Sequence, residues 1–569
     1  MTRSVPVGED RLLGDRALLI GVADPAEGRA LARAVEAVPE LHGRTETVVG
    51  VATVLVALSD PGLSLAEARA CVEAARFAAT SGADSVAPDG NDAAREYTIP
   101  CLFDGPDLEA VARRAGSEVD DVVALLTGAT LTVSVMGFSP GFAYLDGLPP
   151  ALAAVPRRDS PRPEVPAGSV ALANGHAAIY PTASPGGWQL VGRTGFSLFS
   201  AREAPYATLA PGDRVRLTVA AESADRTADA PVPSQWTPPV GARAVLRVVA
   251  PGLRAVLQDA GRRGVAAIGV PGAAPADPAS FLLANLLVGN REGASALEIT
   301  AGVTQLRCLE ACHVAVVGGE AEVAVDGRAA GAGRVVALES GQLVHVGPMR
   351  GGLRAYLSIA GGFQGPVAFG STASDELSGL GPGRLVVGQI LHAGSWSPPL
   401  GDHVADGAAP GVGPDAPIEL RIVGGPHPER FAPDTMDRLA EEVFVVDDRS
   451  NRVGLRLRSA DAGGRRRWAD RGTGGGEAGE LDSQGMVTGA LQVPHGGDPI
   501  VLGPDHATLG GYPVVGVVIS ADHGRLGQCA PGMGVQFVPV DATEAEEAAH
   551  ALRRTLERSV IGHFPLAVD

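Results

Sequence analysis

Along the first ninety residues, apolar runs alternate with amphipathic stretches. Residues 16–23 (RALLIGVA) read as a strand, 25–38 as an Ala-rich helix, 47–58 as one long apolar strand and 64–79 as a second helix. This order predicts a small α/β unit with helices on one face of a sheet. A polar, Gly-containing loop at 80–91 closes it. A strand at 97–103 then leads into two short helices, the second opened by the capping-box spacing Ser117-Glu118-Val119-Asp120. From 131 to 219 the texture changes to short strands separated by Pro/Gly turns, the pattern of a β-barrel or sandwich.

Residues 222–241 contain four prolines and no periodicity, and read as a linker. Beyond it the pattern starts afresh with a strand at 244–250. One helix stands out, 277–288, with Asp277 as N-cap and Pro278 at its first position. Strands and turns continue to about 397. A Gly/Pro/Asp-rich break at 400–417 precedes a last unit that opens with a strand at 418–423. Residues 462–479, rich in Arg and Gly, read as a surface loop. A helix at 544–556 closes the chain, with Arg553 and Arg554 in its last turns. The pattern therefore divides into an α/β unit (1–92), a β-barrel (93–221), a linker (222–241), a second β unit (242–399), a linker (400–417) and a last β-barrel (418–569), a mainly β chain overall.

Two stretches echo each other. Residues 165–194 and 493–513 both begin Val-Pro, pass through a Gly-containing turn into an apolar strand and reach Gly-Gly-aromatic, Gly186-Gly187-Trp188 in one and Gly510-Gly511-Tyr512 in the other. Two copies of one β unit explain this. In the first, Ser184-Pro185-Gly186-Gly187 fits a type II turn whose successive N–H groups can line an anion site. Arg158 and Arg162, stiffened by flanking prolines, are candidates for a phosphate, with Arg193 nearby and His176 as a candidate base. The aromatic run Gly137-Phe138-Ser139-Pro140-Gly141-Phe142-Ala143-Tyr144 suits either a stacked heterocycle or a filled barrel mouth. In the second copy, Asp505, Thr508 and Tyr512, with Arg452, form a set able to orient a small amide.

Composition narrows the chemistry. The net charge of −19 disfavours nucleic acid and anionic membranes as partners. All 46 basic residues are arginine. Without lysine the chain lacks a P-loop, a Schiff base and a biotin or lipoyl attachment site. Five scattered cysteines with no C-x-x-C pair indicate reduced thiols and no metal site, and no apolar run reaches about 18 residues. A cytoplasmic location and no membrane association are expected.

The runs GFSPGFAYLDGLP, PRRDSPRPEVPAGSVAL and IYPTASPGGWQLVGRT closely resemble the allophanate hydrolase subunit 1 family, the 5-oxoprolinase B component. APGLRAVLQDAGRRG, Ala296-Leu297-Glu298, RAYLSIAGGF, GALQVPHGGDPIVL and DHATLGGYP resemble its companion, subunit 2, the C component. The resemblance implies cyclophilin-like barrels, one in the B half and two in the C half. It implies ATP, with Mg2+, as co-substrate in opening 5-oxoproline to glutamate, a separate A component as partner, and an oligomer. The same modules form the carboxyltransferase part of biotin-dependent urea carboxylase, which here would need a biotin carrier on another chain. A KipI-like regulator of a histidine kinase is the third reading. The chain departs from the family at His176-Ala177-Ala178, Ala274-Pro275-Ala276 and Val514.

Overall fold

The computed structural model describes residues 5–81, 94–202, 204–220, 236–396, 404–405, 416–460, 481–494 and 498–561. The expected loop at 462–479 lies outside these residues, as do most of the 80–91 loop and of the connections at 222–241 and 400–417.

The N-terminal unit is an antiparallel sheet of Asp10–Leu12, Ala17–Gly21, Thr53–Leu58 and Thr45–Val49, in that order. Helices Pro25–Glu36 and Leu65–Ser81 flank it. Asp24 caps the first helix by accepting from the N–H groups of Ala26 and Glu27 at 2.8 and 2.9 Å. Strand Ala17–Gly21 is apolar throughout because both its faces are covered: Leu18 and Ile20 pack under the helices, and Ala17 and Leu19 pack toward the barrels. The run read as one strand over 47–58 is a hairpin instead. Gly50 N–H donates to Thr53 O at 2.8 Å, and the turn docks through Val51 N–H on Ser483 O at 2.8 Å. A run apolar on both faces has no alternation to mark its turn.

In the first barrel the strand order is Gln189–Arg193, Ser169–Ala173, His176–Ile179, Ala143–Asp146, Leu131–Met136, Arg214–Val219, Glu96–Cys101. A two-way backbone bridge between Leu102 and Arg193, each bond 2.8 Å, joins the two edges. Helices Leu108–Ala115 and Val119–Gly128 cover one end. The capping box sits one residue later than expected: Glu118 is the N-cap and its N–H donates to Asp121 at 3.3 Å.

The middle unit packs a seven-stranded sheet against a five-stranded one, with helix Pro278–Leu287 alongside. Asp277 caps that helix, accepting from Ser280 N–H at 3.0 Å. The last unit is a closed seven-stranded barrel, ordered Ile418–Gly424, Val514–Val518, Ala490–Gln492, Ile500–Leu502, Gly454–Ser459, Val443–Val446, Gly534–Pro539. The final helix runs Ala542–Ser559, so Arg553 lies short of its end, where it pairs with Glu292 of the middle unit at 2.6 Å. All five cysteines are free. One apolar cluster gathers Leu19 and Leu55 of the N-terminal sheet, Phe142 and Trp188 of the first barrel, and Met486 and Leu509 of the last. That cluster seats the two barrels against each other.

Candidate functional site

The Gly-Gly-Trp loop is held from behind. Strand Ser184–Gly186 pairs with Arg162–Val165, and Arg158 N–H donates to Gly187 O at 2.8 Å. Asp107, just before helix Leu108–Ala115, accepts from Arg158 Nη1 at 2.9 Å, Arg162 Nη2 at 2.8 Å and Leu190 N–H at 2.7 Å. Burial opposes the charge of Asp107, yet the Arg162 and Leu190 bonds hold its carboxyl below the ordinary range. The two arginines read as a phosphate clamp are therefore already paired, and what they clamp is the loop. Gly186 is required by its surroundings, since a Cβ there would lie 2.3 Å from Tyr180 Oη. Burial pushes that phenol up.

The Gly-Gly-Tyr loop is held by backbone. Leu509–Gly510 pairs with Gln484–Gly485, and Leu481 N–H donates to Gly511 O at 2.9 Å. His427 supports it underneath: Nδ1 accepts from Val514 N–H at 3.0 Å and Nε2 meets the Gln484 amide oxygen at 3.2 Å. Burial lowers the His427 pKa to about 4, which keeps the imidazole neutral.

Between the two loops lies a cleft of about 580 Å³. Its first-barrel wall is Pro185-Gly186-Gly187-Trp188 over Phe142, Tyr144 and Tyr180. The Phe142 ring meets those of Tyr144 and Tyr180 edge-on at 5.3 Å and that of Trp188 at 5.8 Å. Gly510-Gly511-Tyr512, with Gln492, forms the opposite wall. Tyr144 Oη reaches Ser483 Oγ at 3.3 Å, a hydrogen bond from one barrel to the other. Among the described residues its charged lining is Arg157, Arg456 and Glu376. Among the described residues no Ser–His or Cys–His pair borders the cleft, and no cluster of three metal-ligating side chains exists. Aromatic faces and Gly-Gly turns of this kind are suited to positioning a small flat molecule.

Other sequence candidates lie elsewhere. Asp505 is wholly buried behind the cleft in a two-pronged pair with Arg452, at 2.7 and 2.9 Å. Arg452 also bonds both oxygens of Glu298, at 2.7 and 2.9 Å, and Tyr356 Oη donates to Glu298 at 2.7 Å. Burial disfavours the Glu298 charge, but Arg452, Arg354 and Arg254 outweigh it and hold its pKa near about 2. This network fastens the middle unit to the last barrel. Thr508 is buried beside a separate cavity of about 240 Å³ under the N-terminal sheet. His176 Nδ1 binds Asp146 Oδ1 at 2.5 Å and its ring stands edge-on behind Tyr144. Arg193 pairs with Asp104 on the surface at 3.0 Å, and Ser184 is buried beneath its own loop.

The cleft thus collects Phe138, Phe142, Tyr144, Gly186, Gly187, Trp188, Gly510, Gly511 and Tyr512 from the sequence candidates and leaves Arg158, Arg162, His176, Ser184, Arg193, Arg452, Asp505 and Thr508 outside. It adds Arg157, Tyr180, Arg456, Ser483 and Gln492. For Arg157 a signal existed: neighbours in an extended segment project oppositely, so Arg158 facing Asp107 turns Arg157 toward the cleft.

Two family models match the chain, "Carboxyltransferase domain, subdomain C and D" over residues 9–209 and "Carboxyltransferase domain, subdomain A and B" over 268–539. Over 316 residues it is 32% identical to the C component of 5-oxoprolinase from Escherichia coli (strain K12), covering 55% of this chain and 97% of that protein. Over 212 residues it is 35% identical to the B component of 5-oxoprolinase from Escherichia coli O157:H7, covering 36% of this chain and 93% of that protein. The crystal structure of TTHA0988 superposes with a TM-score of 0.77 at 29% identity, covering 92% of this chain and all of that one.

Proposed function

The chain belongs to the carboxyltransferase-domain family and carries a half similar to the 5-oxoprolinase B component and a half similar to the C component in one polypeptide; from that premise we propose that it is the lactam-activating part of an ATP-dependent 5-oxoprolinase, acting with a separate A component. The observation that carries this reading is the shared cleft, whose walls are one Gly-Gly-aromatic loop from each half. A site split between the halves gives a reason for the two to work as one.

A lactam is a poor electrophile because nitrogen donates into the carbonyl. Phosphorylating the carbonyl oxygen removes that protection: the oxygen attacks the γ-phosphorus, ADP leaves, and the oxygen becomes part of a phosphate leaving group. Water then adds to the ring carbon on the A component and the C–N bond breaks, its nitrogen taking up a proton, which leaves γ-glutamyl phosphate; a second water displaces phosphate from that acyl group, giving glutamate. Phosphoryl transfer asks a protein for positioning and charge stabilisation rather than a nucleophile, which suits this cleft. Trp188 and Tyr512, on facing loops, provide flat surfaces for the ring. The N–H groups of Gly187 and Gly511, on facing loops, serve as hydrogen-bond donors to the transferred phosphoryl group in place of the lysine the chain lacks. Mg2+ would rest mainly on the nucleotide phosphates.

Incubating the full chain with the A component, 5-oxoproline and ATP is expected to yield ADP and glutamate together. ADP release that does not respond to any lactam sinks the reading. The matching family description favours a second one, carboxyl transfer from a biotinylated carrier to a small amide. It predicts dependence on the carrier and inhibition by avidin; the first predicts neither.

A further inference from the structure

The cavity of about 240 Å³ under the N-terminal sheet is separate from the cleft, and one segment of chain divides the two. Residues 504–512 run between them with alternating faces: His506 and Thr508 line the cavity, while Ala507, Leu509 and Tyr512 line the cleft. Met486, whose N–H donates to Thr508 O at 3.0 Å, borders both. The charged groups of the cavity lining are each engaged by the protein. Asp15 accepts from Ser520 N–H at 3.0 Å, Glu46 from the N–H groups of Val265 and Ala266 at 2.9 Å, and Arg16 donates to Leu63 O at 2.9 Å. Two neutral groups are not. The Thr508 hydroxyl, on a residue only 3% exposed, has no hydrogen-bond partner among the described residues. Burial lowers the His506 pKa and keeps that ring uncharged. Its Nδ1 lies 2.8 Å from Ala507 O, and since a carbonyl only accepts, Nδ1 carries the proton. Nε2 is then a lone-pair acceptor, and it makes no hydrogen bond among the described residues.

An acceptor without a donor and a hydroxyl without a partner, two residues apart on one side of a segment, cost stability until something fills the space before them. That space is about eight times a water's share of the liquid, room for a small organic molecule. We infer that this cavity is a second binding site, for a short uncharged amide whose N–H donates to His506 Nε2 and whose carbonyl accepts from the Thr508 hydroxyl. An amide carries a donor and an acceptor side by side, the complement of this pair. Leu13, Val48, Leu55 and Val517 give its alkyl end an apolar seat. Charge sets the limit on what enters. Asp15 and Glu46 against Arg16 leave the lining net negative, and His523, whose pKa burial also lowers, adds no positive charge. A carboxylate of the same shape is therefore repelled. The inference goes beyond the lactam reading and does not rest on it, because this ligand sits behind the Gly-Gly-Tyr loop and not against its cleft face.

The test is saturation-transfer NMR of the full chain with acetamide and with acetate, which share a shape and differ in charge. Wild type is expected to bind acetamide at least about tenfold more tightly than acetate, since like charges repel the latter. Thr508→Val keeps the shape and removes the hydroxyl, so it should weaken acetamide about fivefold or more. The same variant should raise the thermal midpoint of the free protein, because a buried hydroxyl without a partner is removed. A hydroxyl with a purely structural role gives the opposite sign. His506→Phe, which keeps a ring and removes the acceptor, should weaken acetamide about as much as Thr508→Val does. Acetamide binding unchanged by either substitution places the molecule elsewhere and overturns the inference. So do equal affinities for acetamide and acetate, no acetamide binding by wild type, or a Thr508→Val midpoint below that of wild type. Each of these results leaves the proposed function standing, since that is read from 5-oxoproline and ATP.

Discussion

The two loops that face each other across the cleft share a sequence pattern but not a means of support. The Gly-Gly-Trp loop hangs on a charge clamp near the surface, where Asp107 holds two arginines that remain 36% and 20% exposed. The Gly-Gly-Tyr loop is carried by a short backbone ladder, with a fully buried ion network behind it in which Arg452 is 2% exposed and Glu298 and Asp505 not at all. Solvent-accessible arginines that lose their partner are rehydrated. Buried carboxylates that lose theirs are not. The first loop should therefore fail locally and the second globally.

The largest effect is expected from Arg452→Ala. It leaves Asp505 buried without its Arg452 pair and takes from Glu298 the nearest of its arginines, while Arg254 and Tyr356 remain on Glu298, at a cost of about 3–5 kcal/mol. Thermal unfolding followed by circular dichroism checks it, and an unchanged midpoint would break the contrast. Asp107→Ala should leave that midpoint nearly intact. It should nonetheless weaken 5-oxoproline binding about tenfold and shift Trp188 fluorescence to the red as the loop loosens. Next come the glycines. Alanine at Gly186 meets Tyr180 Oη at 2.3 Å, on a ring wedged among other aromatics, whereas alanine at Gly510 meets the movable Gln492 amide at 2.7 Å. Gly186→Ala should cost about 1–3 kcal/mol and Gly510→Ala less; the reverse order in denaturant melts would show that the first wall is the softer one.

The smallest effect is a slope. Burial, with the charge of Asp505, raises the Asp375 pKa to about 6. Between the unfolded value of about 4 and that folded value, the native state keeps a proton the unfolded chain has lost. The stability this provides is complete below about pH 4 and falls away as pH rises to about 6. Asp375→Asn should flatten the dependence of the melting midpoint across that window.

What could be read from sequence follows from the range of the forces involved. The barrels, the N-terminal unit and the Gly-Gly-aromatic loops were legible because turns, alternation and caps are written within a few residues. The 47–58 hairpin was not, since its strands are covered on both faces. Flanking prolines mark Arg158 and Arg162 as important to the loop, but their partner Asp107 lies some fifty residues earlier, and without it a structural clamp resembles an anion site. Asp505 misled in the same way. Its partner Arg452 and the next carboxylate, Glu298, come from distant segments, so nothing local distinguishes a buried ion pair from a substrate ligand. Ser483 and Gln492 reach the cleft only through the packing of the barrels and left no local sign at all.

If both halves build one ligand site, a ligand must protect both loops at once. Hydrogen–deuterium exchange of the full chain, with and without saturating 5-oxoproline, tests it most directly. Slowed exchange is expected at residues 184–190 and 509–512 together, at the same ligand concentration. Protection confined to one loop, with the other unchanged, would contradict it.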